Sequence, residues 1–312
     1  MGKTPGPVSE LRRVDGVLLL DKPAGLSSNA ALQRAKRLYR AQRAGHTGTL
    51  DPLATGLLPI CFGEATKFAQ ALLDADKSYA ALVRLGTTTT TGDAEGSVIE
   101  HRGVALSRHD IERVLPAFTG RIEQVPPRHA ALRHEGRRYY EYARRGVEIP
   151  RRPREVEVRE LELRSWQAPD LELAIRCSKG TYIRALAEDV GAALGCGAHL
   201  AALRRTATGG FALGGATTLA ALEDLAEAER DALLRPADVL VDALPRLDLE
   251  GTEAWRFASG QALALPDLAD GQLRVYAGGA FAGVGVAAGG TLRPRRLISA
   301  RLSLRAVEAV EY

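Results

Sequence analysis

At 312 residues the chain is long enough for one large domain, or for a large and a small domain, each with a complete hydrophobic core. Its three cysteines, Cys61, Cys177 and Cys196, are odd in number and lack the close spacing of a metal site or redox dithiol, which favours a reduced, cytoplasmic protein without structural zinc. The net charge is only +4, no apolar run is long enough to cross a bilayer and the first residues are polar, so we expect neither a membrane span nor a signal peptide.

Hydrophobic periodicity predicts alternating short strands and helices in the first third of the chain. Ser27, Ser28 and Asn29 are typical helix N-cap residues, so a helix with a basic outer side should follow them to about Tyr39. The other elements predicted here are strands at 16–20, 57–62 and 79–85, a helix at 64–73 and a loop at 87–96.

The middle of the chain is predicted to continue this mixture, and its end to be rich in short strands. Ser107 should cap a helix that Pro116 ends. Strands and helices follow one another without a regular βαβ repeat, which indicates an α+β fold rather than a doubly wound sheet. After a linker at 236–245 the composition changes to that of a small β-rich domain. The remaining predicted elements are strands at 156–163 and 171–176, helices at 181–194 and 219–234, and short apolar runs at 273–276 and 281–286.

A strongly basic segment spans residues 133–154, where eight arginines stand against three glutamates. Three tyrosines, Tyr139, Tyr140 and Tyr142, lie in the same segment. Cations bind phosphates, and flat rings stack on bases or pack in a core, so this combination is typical of a nucleic-acid contact. A loop whose charges only face solvent is the alternative interpretation.

The string GHTGTLDPLATGLLP at 45–59 places one carboxylate, Asp51, in a loop rich in glycine and proline just before an apolar strand. Such a loop is a rigid base for a reactive group, although an aspartate beside proline is also a common turn former. Patterns for nucleotide-driven, hydride-transfer, zinc-protease and serine-hydrolase chemistry are absent from the sequence. The remaining possibility for an enzyme is acid, base or nucleophilic catalysis by side chains.

Four motifs in order give the chain a resemblance to the TruB family of bacterial tRNA pseudouridine synthases. They are GHTGTLDP at 45–52, DKPAG at 21–25, KSY at 77–79 and CSKGTYIR at 177–184, and the resemblance extends from about residue 16 to 297. The resemblance implies an α+β fold with a mixed, mainly antiparallel sheet in a catalytic domain at 1–245. It also implies an insertion at about 125–155 that clamps the tRNA, and a small PUA-like RNA-binding domain at 246–312.

The resemblance further implies that the protein isomerises the uridine at position 55, in the T-arm loop of tRNA, to pseudouridine. Asp51 would be the catalytic aspartate of a reaction that detaches the base, rotates it and reattaches it through carbon. No metal or organic cofactor is needed, and we expect a monomer. Whether the aspartate attacks the sugar, adds to the base or removes a ribose proton is left open, and each route needs it ionised.

The same resemblance assigns roles to residues around Asp51. Arg184 would keep the aspartate ionised in a water-poor pocket, because desolvation otherwise raises a carboxyl pKa. His46 would fill the space left by the flipped base, and Tyr79 would stack on the uracil and serve in proton transfer at its ring carbon. Other positions that match the family are Tyr182 and Leu203 as substrate contacts and Lys22, Asp93 and Lys179 in supporting roles, with Lys179 and Arg184 expected to face one cavity. Ordinary core packing is the alternative for Leu203.

Two departures from the family pattern are visible. His129 and Ala130 stand where the family usually has an aromatic residue and a serine, which puts in doubt any RNA contact made by that aromatic residue. Ser27 replaces a common threonine. Two other functions stay open at this point: an RNA chaperone that remodels tRNA with little or no catalysis, and an isomerase or lyase acting on small carbohydrates.

Overall fold

The structure is a computed structural model that describes residues 10–130, 132–143 and 145–299. Some predicted features lie partly outside these residues: the polar start, Ala131 beside the family departures, Arg144 in the basic segment and the end of the predicted C-terminal domain, 300–312. Within the described part of the chain, no helix is both long and apolar enough to span a bilayer.

The strands and helices are numbered separately in chain order. The strands are β1 (Gly16–Lys22), β2 (Ala44–His46), β3 (Thr55–Phe62), β4 (Lys77–Leu85), β5 (Thr87–Thr89), β6 (Val98–His101), β7 (Gly120–Gln124), β8 (Arg133–His134), β9 (Arg137–Arg138), β10 (Arg154–Gln167), β11 (Asp170–Cys177), β12 (Ala198–Thr208), β13 (Phe211–Ala212), β14 (Thr217–Thr218), β15 (Arg246–Leu249), β16 (Leu263–Ala264), β17 (Gly271–Ala277), β18 (Ala280–Ala288) and β19 (Thr291–Leu297). The α-helices are α1 (Ser28–Leu38), α2 (Gln70–Asp74), α3 (Arg108–Val114), α4 (Tyr139–Ala143), α5 (Ile183–Ala193), α6 (Leu219–Asp224), α7 (Glu227–Ala232) and α8 (Gly251–Ala258). Short 3-10 helices occur at Gly63–Lys67, Leu115–Phe118, Leu213–Gly215 and Ala237–Val241.

A large mixed sheet organises most of the chain, in the strand order β14-β1-β3-β12-β4-β11-β10-β7. Strand β12 runs parallel to β3, and β14 runs parallel to β1; the other neighbours in this order are antiparallel. The α+β prediction with a mainly antiparallel sheet is therefore confirmed. Because β3 and β12 are adjacent, the loop before β3 lies beside the middle of the sheet.

Close packing of β3 against β12 requires glycine at position 56. Gly56 has a φ of +99°, and a Cβ built on it would lie 2.3 Å from the carbonyl oxygen of Arg205. A side chain there would be strained by its backbone conformation and would push the two strands apart.

Buried side chains form separate clusters against the large sheet. One cluster lies under α5 and includes Leu173, Leu186 and Val190, and another lies under α1 and includes Leu32 and Leu58. Helix α1 begins as predicted, because the Ser27 hydroxyl accepts a hydrogen bond from the Ala30 N–H at 3.1 Å. Serine and threonine both supply this hydroxyl, so the Ser27 departure preserves the cap.

A second sheet, in the order β15-β17-β18-β19-β16, is formed by residues 246–297 and packs around its own cluster with Phe257 of α8. It contacts the 3-10 helix that follows β3: the rings of Phe68 and Phe281 lie 5.2 Å apart, and the Lys67 Nζ donates to the Leu297 carbonyl at 2.9 Å. The predicted β-rich C-terminal region is present, while the boundary of a separate domain at 245/246 stays a prediction.

Several predicted elements differ from the structure. The helix predicted at 64–73 is a 3-10 turn followed by the short α2, and the loop predicted at 87–96 contains β5, which pairs with β6. The helix predicted at 219–234 is divided into α6 and α7, because Leu225 adopts an extended conformation with ψ 147°. Strand β12, in the middle of the large sheet, was not predicted.

Candidate active site

A cavity of about 280 Å³ lies beside Asp51 over β4 and β12. A second cavity of about 540 Å³ adjoins it, and both are bounded by Asp51, His129 and Arg184. Asp51 therefore lies on the boundary between two cavities. Other residues lining the first cavity are Gly48, Thr49, Leu50, Leu73, Lys77, Tyr79, Ala130, Ser178, Gly180, Thr181, Tyr182, Ile183, Leu203 and Arg205.

The loop that carries Asp51 is held on one side by the start of α1 and on the other by the turn after β1. The Ser28 hydroxyl accepts a hydrogen bond from the Leu50 N–H at 2.7 Å and donates to the Leu50 carbonyl at 2.9 Å. The carbonyl of Pro52 accepts from the Gly25 N–H at 2.9 Å. Because the residues before and after it are both tied down, the Asp51 backbone has little freedom to move.

Lys22 is completely buried behind this loop, with an exposed fraction of 0%. Its Nζ donates to the carbonyls of Leu26 at 2.6 Å, Pro23 at 2.9 Å and Pro52 at 3.4 Å. Burial lowers the pKa of its ammonium to about 8, and the negative charge of Asp51 opposes this decrease. Lys22 thus joins the turn after β1 to the loop that carries Asp51, and its supporting role stays a prediction.

The Asp51 carboxylate is paired with a buried arginine. Its Oδ2 lies 3.0 Å from the Arg184 Nε, and the same Nε lies 3.6 Å from an Asp93 oxygen. The side chains of Arg184 and Asp93 are only 5% and 4% exposed, whereas that of Asp51 is 40% exposed. One guanidinium therefore serves two carboxylates, of which only Asp51 is open to a ligand.

Arg184 and Asp93 are themselves fixed by their surroundings. Arg184 lies in the first turn of α5 and donates to the carbonyls of Thr91 at 3.2 Å and His129 at 3.3 Å. The Asp93 Oδ1 accepts hydrogen bonds from the Thr91 hydroxyl at 2.5 Å and the Glu95 N–H at 3.1 Å. The orientation of the guanidinium toward Asp51 is therefore determined before any ligand binds.

The pKa of Asp51 is raised above its ordinary value, mainly because the carboxyl is partly desolvated. The charge of Arg184 opposes this increase, while the nearby negative charge of Asp93 adds to it. Arg184 therefore favours the ionised carboxylate but does not fully offset the cost of desolvation. A group of this kind titrates at a higher pH than an ordinary aspartate.

The floor of the first cavity consists of residues from β4 and β12. Tyr79 and Leu203 line it, and burial raises the pKa of the Tyr79 phenol, so the phenol is protonated at neutral pH. Tyr182 lines the side, and its backbone is held by the buried Gln124, whose Oε1 accepts from the Tyr182 N–H at 3.0 Å. The sequence-predicted Tyr79, Tyr182 and Leu203 thus come together around one cavity.

His46 and Lys179 take different places. His46 ends β2 and lines the second cavity with Asp51, not the first. Lys179 lines neither cavity; its exposed ammonium pairs with Asp74 at 2.8 Å. The expectation that Lys179 and Arg184 face one cavity is therefore wrong for Lys179, because the chain reverses at Gly180, where φ is +81°.

The basic segment forms the short β8-β9 hairpin followed by α4. Tyr139 is buried, and the Tyr142 hydroxyl donates to the His134 carbonyl at 3.1 Å, so these two rings contribute to packing. Arg145 and Arg152 of the segment, in contrast, are exposed. The segment thus presents cations more than rings to an incoming polyanion.

Three residues of the site were missed by sequence reasoning. Arg205 reaches the cavity floor from the unpredicted β12, Ser28 fixes Leu50, and Gln124 fixes Tyr182. Ser28 belongs to the cluster that was interpreted only as a helix start. Nothing in the sequence around Gln124 indicated its long-range contact.

Three family profiles match consecutive parts of the chain. Residues 36–183 match "TruB family pseudouridylate synthase (N terminal domain)". Residues 184–242 match "tRNA pseudouridylate synthase B C-terminal domain", and residues 245–298 match "Pseudouridine synthase II TruB, C-terminal".

Similar proteins cover nearly the whole chain. A tRNA pseudouridine synthase B from Thiobacillus denitrificans is 57% identical over 289 residues, which are 92% of this chain and 96% of that protein. A protein of the same name from an Azoarcus species is 54% identical over 288 residues, again 92% of this chain and 96% of the relative.

Solved structures with the same fold are more distant in sequence. A chain of a Cbf5-Nop10-Gar1 complex has a TM-score of 0.71 and 27% identity, covering 90% of this chain and 84% of that one. A chain of an H/ACA RNP bound to a substrate RNA containing 2'-deoxyuridine has a TM-score of 0.68 and 25% identity, with the same coverage.

Proposed function

Since this chain belongs to the TruB family of pseudouridine synthases, we propose that it converts the T-arm loop uridine of tRNA, at position 55, into pseudouridine, with Asp51 as the catalytic group. The protein is thus an isomerase that needs a polynucleotide substrate. A chaperone without catalysis is not favoured, because the relatives that match most of this chain are named as synthases.

One observation carries the assignment of Asp51. Its carboxylate is the exposed member of a buried ion-pair network with Arg184 and Asp93, and it opens onto a cavity floored by Tyr79 and Leu203. A base flipped out of an RNA loop can lie against the flat phenol with its glycosidic carbon toward the carboxylate. The buried partners hold the carboxylate in place while the base is detached, rotated and reattached.

The remaining parts of the protein are proposed to hold the RNA. The exposed arginines of the 133–154 segment would contact phosphates, and the second sheet, as a PUA-like domain, would extend the RNA-binding surface. His46 at the second cavity would occupy the gap in the stacked loop left by the flipped base. We propose that the protein works as a monomer in the cytoplasm, where its tRNA substrate is made.

The direct test is incubation with an unmodified tRNA transcript, followed by mapping of carbodiimide-reactive positions. Pseudouridine keeps the carbodiimide adduct through alkaline treatment, and the adduct stops reverse transcription. A single stop of the transcript at the T-arm uridine is therefore expected. A transcript with cytidine at that position is the control. Binding of tRNA without any new adduct would leave the chaperone interpretation, and turnover of free uridine would favour a small-molecule isomerase.

The pH dependence of the reaction is expected to report Asp51. Its pKa is raised and its ionised form is active, so kcat/KM should fall as the pH is lowered through a value above the ordinary 3.8 of an aspartate. The Asp93→Asn variant removes a negative neighbour and leaves Arg184 to Asp51 alone. Both effects lower the pKa of Asp51, so the acid limb should move to lower pH by roughly one unit.

The matched control is Asp74→Asn, because Asp74 is an exposed carboxylate paired with Lys179 outside the cavity. Its profile should coincide with that of the wild type. An acid limb that stays in place, or moves to higher pH, in Asp93→Asn would contradict the proposed electrostatics.

The basic segment is expected to determine salt-dependent affinity. Replacing Arg145 and Arg152 together by glutamine should weaken tRNA binding and reduce the slope of log K against log salt by roughly 1.5, for two lost phosphate contacts. Filter binding at salt concentrations from about 50 to 300 mM measures this slope. The control is Arg164→Gln, an exposed arginine ten positions along β10 from its start. An equal slope for both proteins would place the tRNA elsewhere.

A further inference from the structure

Arg205 is a buried cation whose charge nothing described so far explains. Its side chain is among the largest that are fully buried, with an exposed fraction of 1%. The Nε donates to the Leu57 carbonyl at 2.7 Å and the Nη2 to the Gly48 carbonyl at 3.2 Å. Among the described residues, no carboxylate oxygen lies within 4.0 Å of its guanidinium.

Burying a guanidinium without an anion is unfavourable, and desolvation lowers the pKa of Arg205. An apolar side chain of similar volume would fill the same space at lower cost. Costly groups of this kind occur mainly where function requires them. Arg205 is therefore a candidate for a role in the reaction rather than in stability.

The Tyr79 phenol is the polar group at the cavity on which Arg205 can act. In the antiparallel pairing of β12 with β4, Arg205 stands directly opposite Tyr79, and both residues line the first cavity. Directly opposite side chains on one face of a sheet are in contact. The positive charge of Arg205 also opposes the increase that burial causes in the pKa of the Tyr79 phenol.

The hydrogen-bonding capacity of arginine determines how this contact is made. A guanidinium has five N–H donors and no acceptor, so in a hydrogen bond between the two groups the phenol oxygen is the acceptor. The phenol O–H then points away from Arg205, toward the cavity. A tyrosine held in this way presents a donor to whatever base lies over it.

The same guanidinium also holds the catalytic loop, because Gly48 lies three positions before Asp51 in that loop. Its contact with Leu57 anchors it to β3. One side chain therefore connects the strand that carries Tyr79 with the loop that carries Asp51. Its length sets the separation of the two groups that would flank the bound base.

We propose that Arg205 is a positioning residue of the reaction, which fixes the distance between Tyr79 and the Asp51 loop and turns the Tyr79 O–H toward the bound base. This inference rests on the proposed function, because it assumes that a uracil occupies the first cavity. Arg205 acts on the reaction through its contacts with Tyr79 and Gly48.

The test compares Arg205→Met with Arg204→Met. Arg204 is the residue before Arg205 on β12, so its side chain faces the opposite side of the sheet, where it pairs with Asp21 at 2.7 Å. It therefore controls for loss of an arginine on this strand. With tRNA labelled with tritium at C5 of uridine, release of tritium follows turnover. Arg205→Met should lower the single-turnover rate about 100-fold, with tRNA affinity within about two-fold of wild type. Arg204→Met should keep both.

Coupling to Tyr79 separates a positioning role from a merely structural one. In a Tyr79→Phe background there is no phenol to orient, so adding Arg205→Met should cost far less than it does alone. Full additivity of the two changes would overturn the proposal. So would a wild-type rate in Arg205→Met, provided that the wild-type protein makes pseudouridine. If the wild-type protein makes none, the proposed function itself fails.

A spectroscopic measurement needs no activity. With tyrosine carrying ¹³C at the ring carbon that bears the hydroxyl, the Tyr79 signal is identified by its loss in Tyr79→Phe. Arg205→Met should shift this signal and Arg204→Met should not; an unchanged signal contradicts the contact. If Arg205→Met does not fold, Arg205→Lys replaces it, because lysine keeps the charge but cannot bind Gly48, Leu57 and Tyr79 together.

Discussion

Replacing Asp51 by asparagine is expected to lower the single-turnover rate of pseudouridine formation by about 10⁴-fold or more, with tRNA affinity within about two-fold of wild type. Asparagine has the same shape but no charge, and every route open to the aspartate requires a negative oxygen. The release of tritium from C5 of uridine measures the rate, and filter binding measures the affinity.

The fold should survive this change. The Asp51 side chain is the exposed member of the network, and Arg184 retains its second carboxylate, Asp93, and two carbonyl partners. A melting temperature close to that of the wild type would establish this. Asp74→Asn is again the matched control and should keep the full rate. A single-turnover rate of Asp51→Asn within ten-fold of wild type, a change of roughly 1.4 kcal/mol in activation free energy, would show that Asp51 is not the catalytic group.

Replacing Arg184 by alanine is expected to reduce both activity and stability. Turnover should fall about 10³-fold, because a preorganised cation in a partly dry site is lost and the Asp51 carboxylate is free to rotate. The pKa of Asp51 should rise further without the opposing charge, so the acid limb of kcat/KM should move to higher pH. This is opposite to the shift expected for Asp93→Asn.

The stability change for Arg184→Ala follows from the burial of its partner. With the guanidinium removed, the 4% exposed Asp93 is left as a buried carboxylate without a cation, which typically costs about 3–5 kcal/mol. Chemical denaturation measures this. Adding Asp93→Asn to Arg184→Ala should restore much of the stability but not the activity. Unchanged turnover in Arg184→Ala would rule out the pairing as a part of catalysis.

The Arg184 result needs a control for the loss of any arginine. Arg176→Ala is suitable, because Arg176 is an exposed residue of β11 whose guanidinium pairs with Glu160. Exposed pairs of this kind contribute little, so stability should change by less than about 1 kcal/mol and turnover should be kept.

The sequence alone determined those features that depend on neighbouring residues. The start of α1 follows from the hydroxyl of Ser27, and the strands at β1, β3, β4 and β11 follow from their apolar patterns. Asp51, Arg184 and Tyr79 were predicted as site residues because they lie in contiguous motifs, and the three line one cavity. Local propensity and motif spacing are properties of short segments, so they can be read without coordinates.

The tertiary structure decided what depends on the order of strands in the sheet. Strand β12 is rich in alanine, leucine and arginine, which favour helices, yet it is extended because it fills the gap between β3 and β4. Its position brings Arg205 to a carbonyl 148 residues away in the chain and directly opposite Tyr79. Such contacts depend on which strands become neighbours, and short-range sequence patterns do not contain that information.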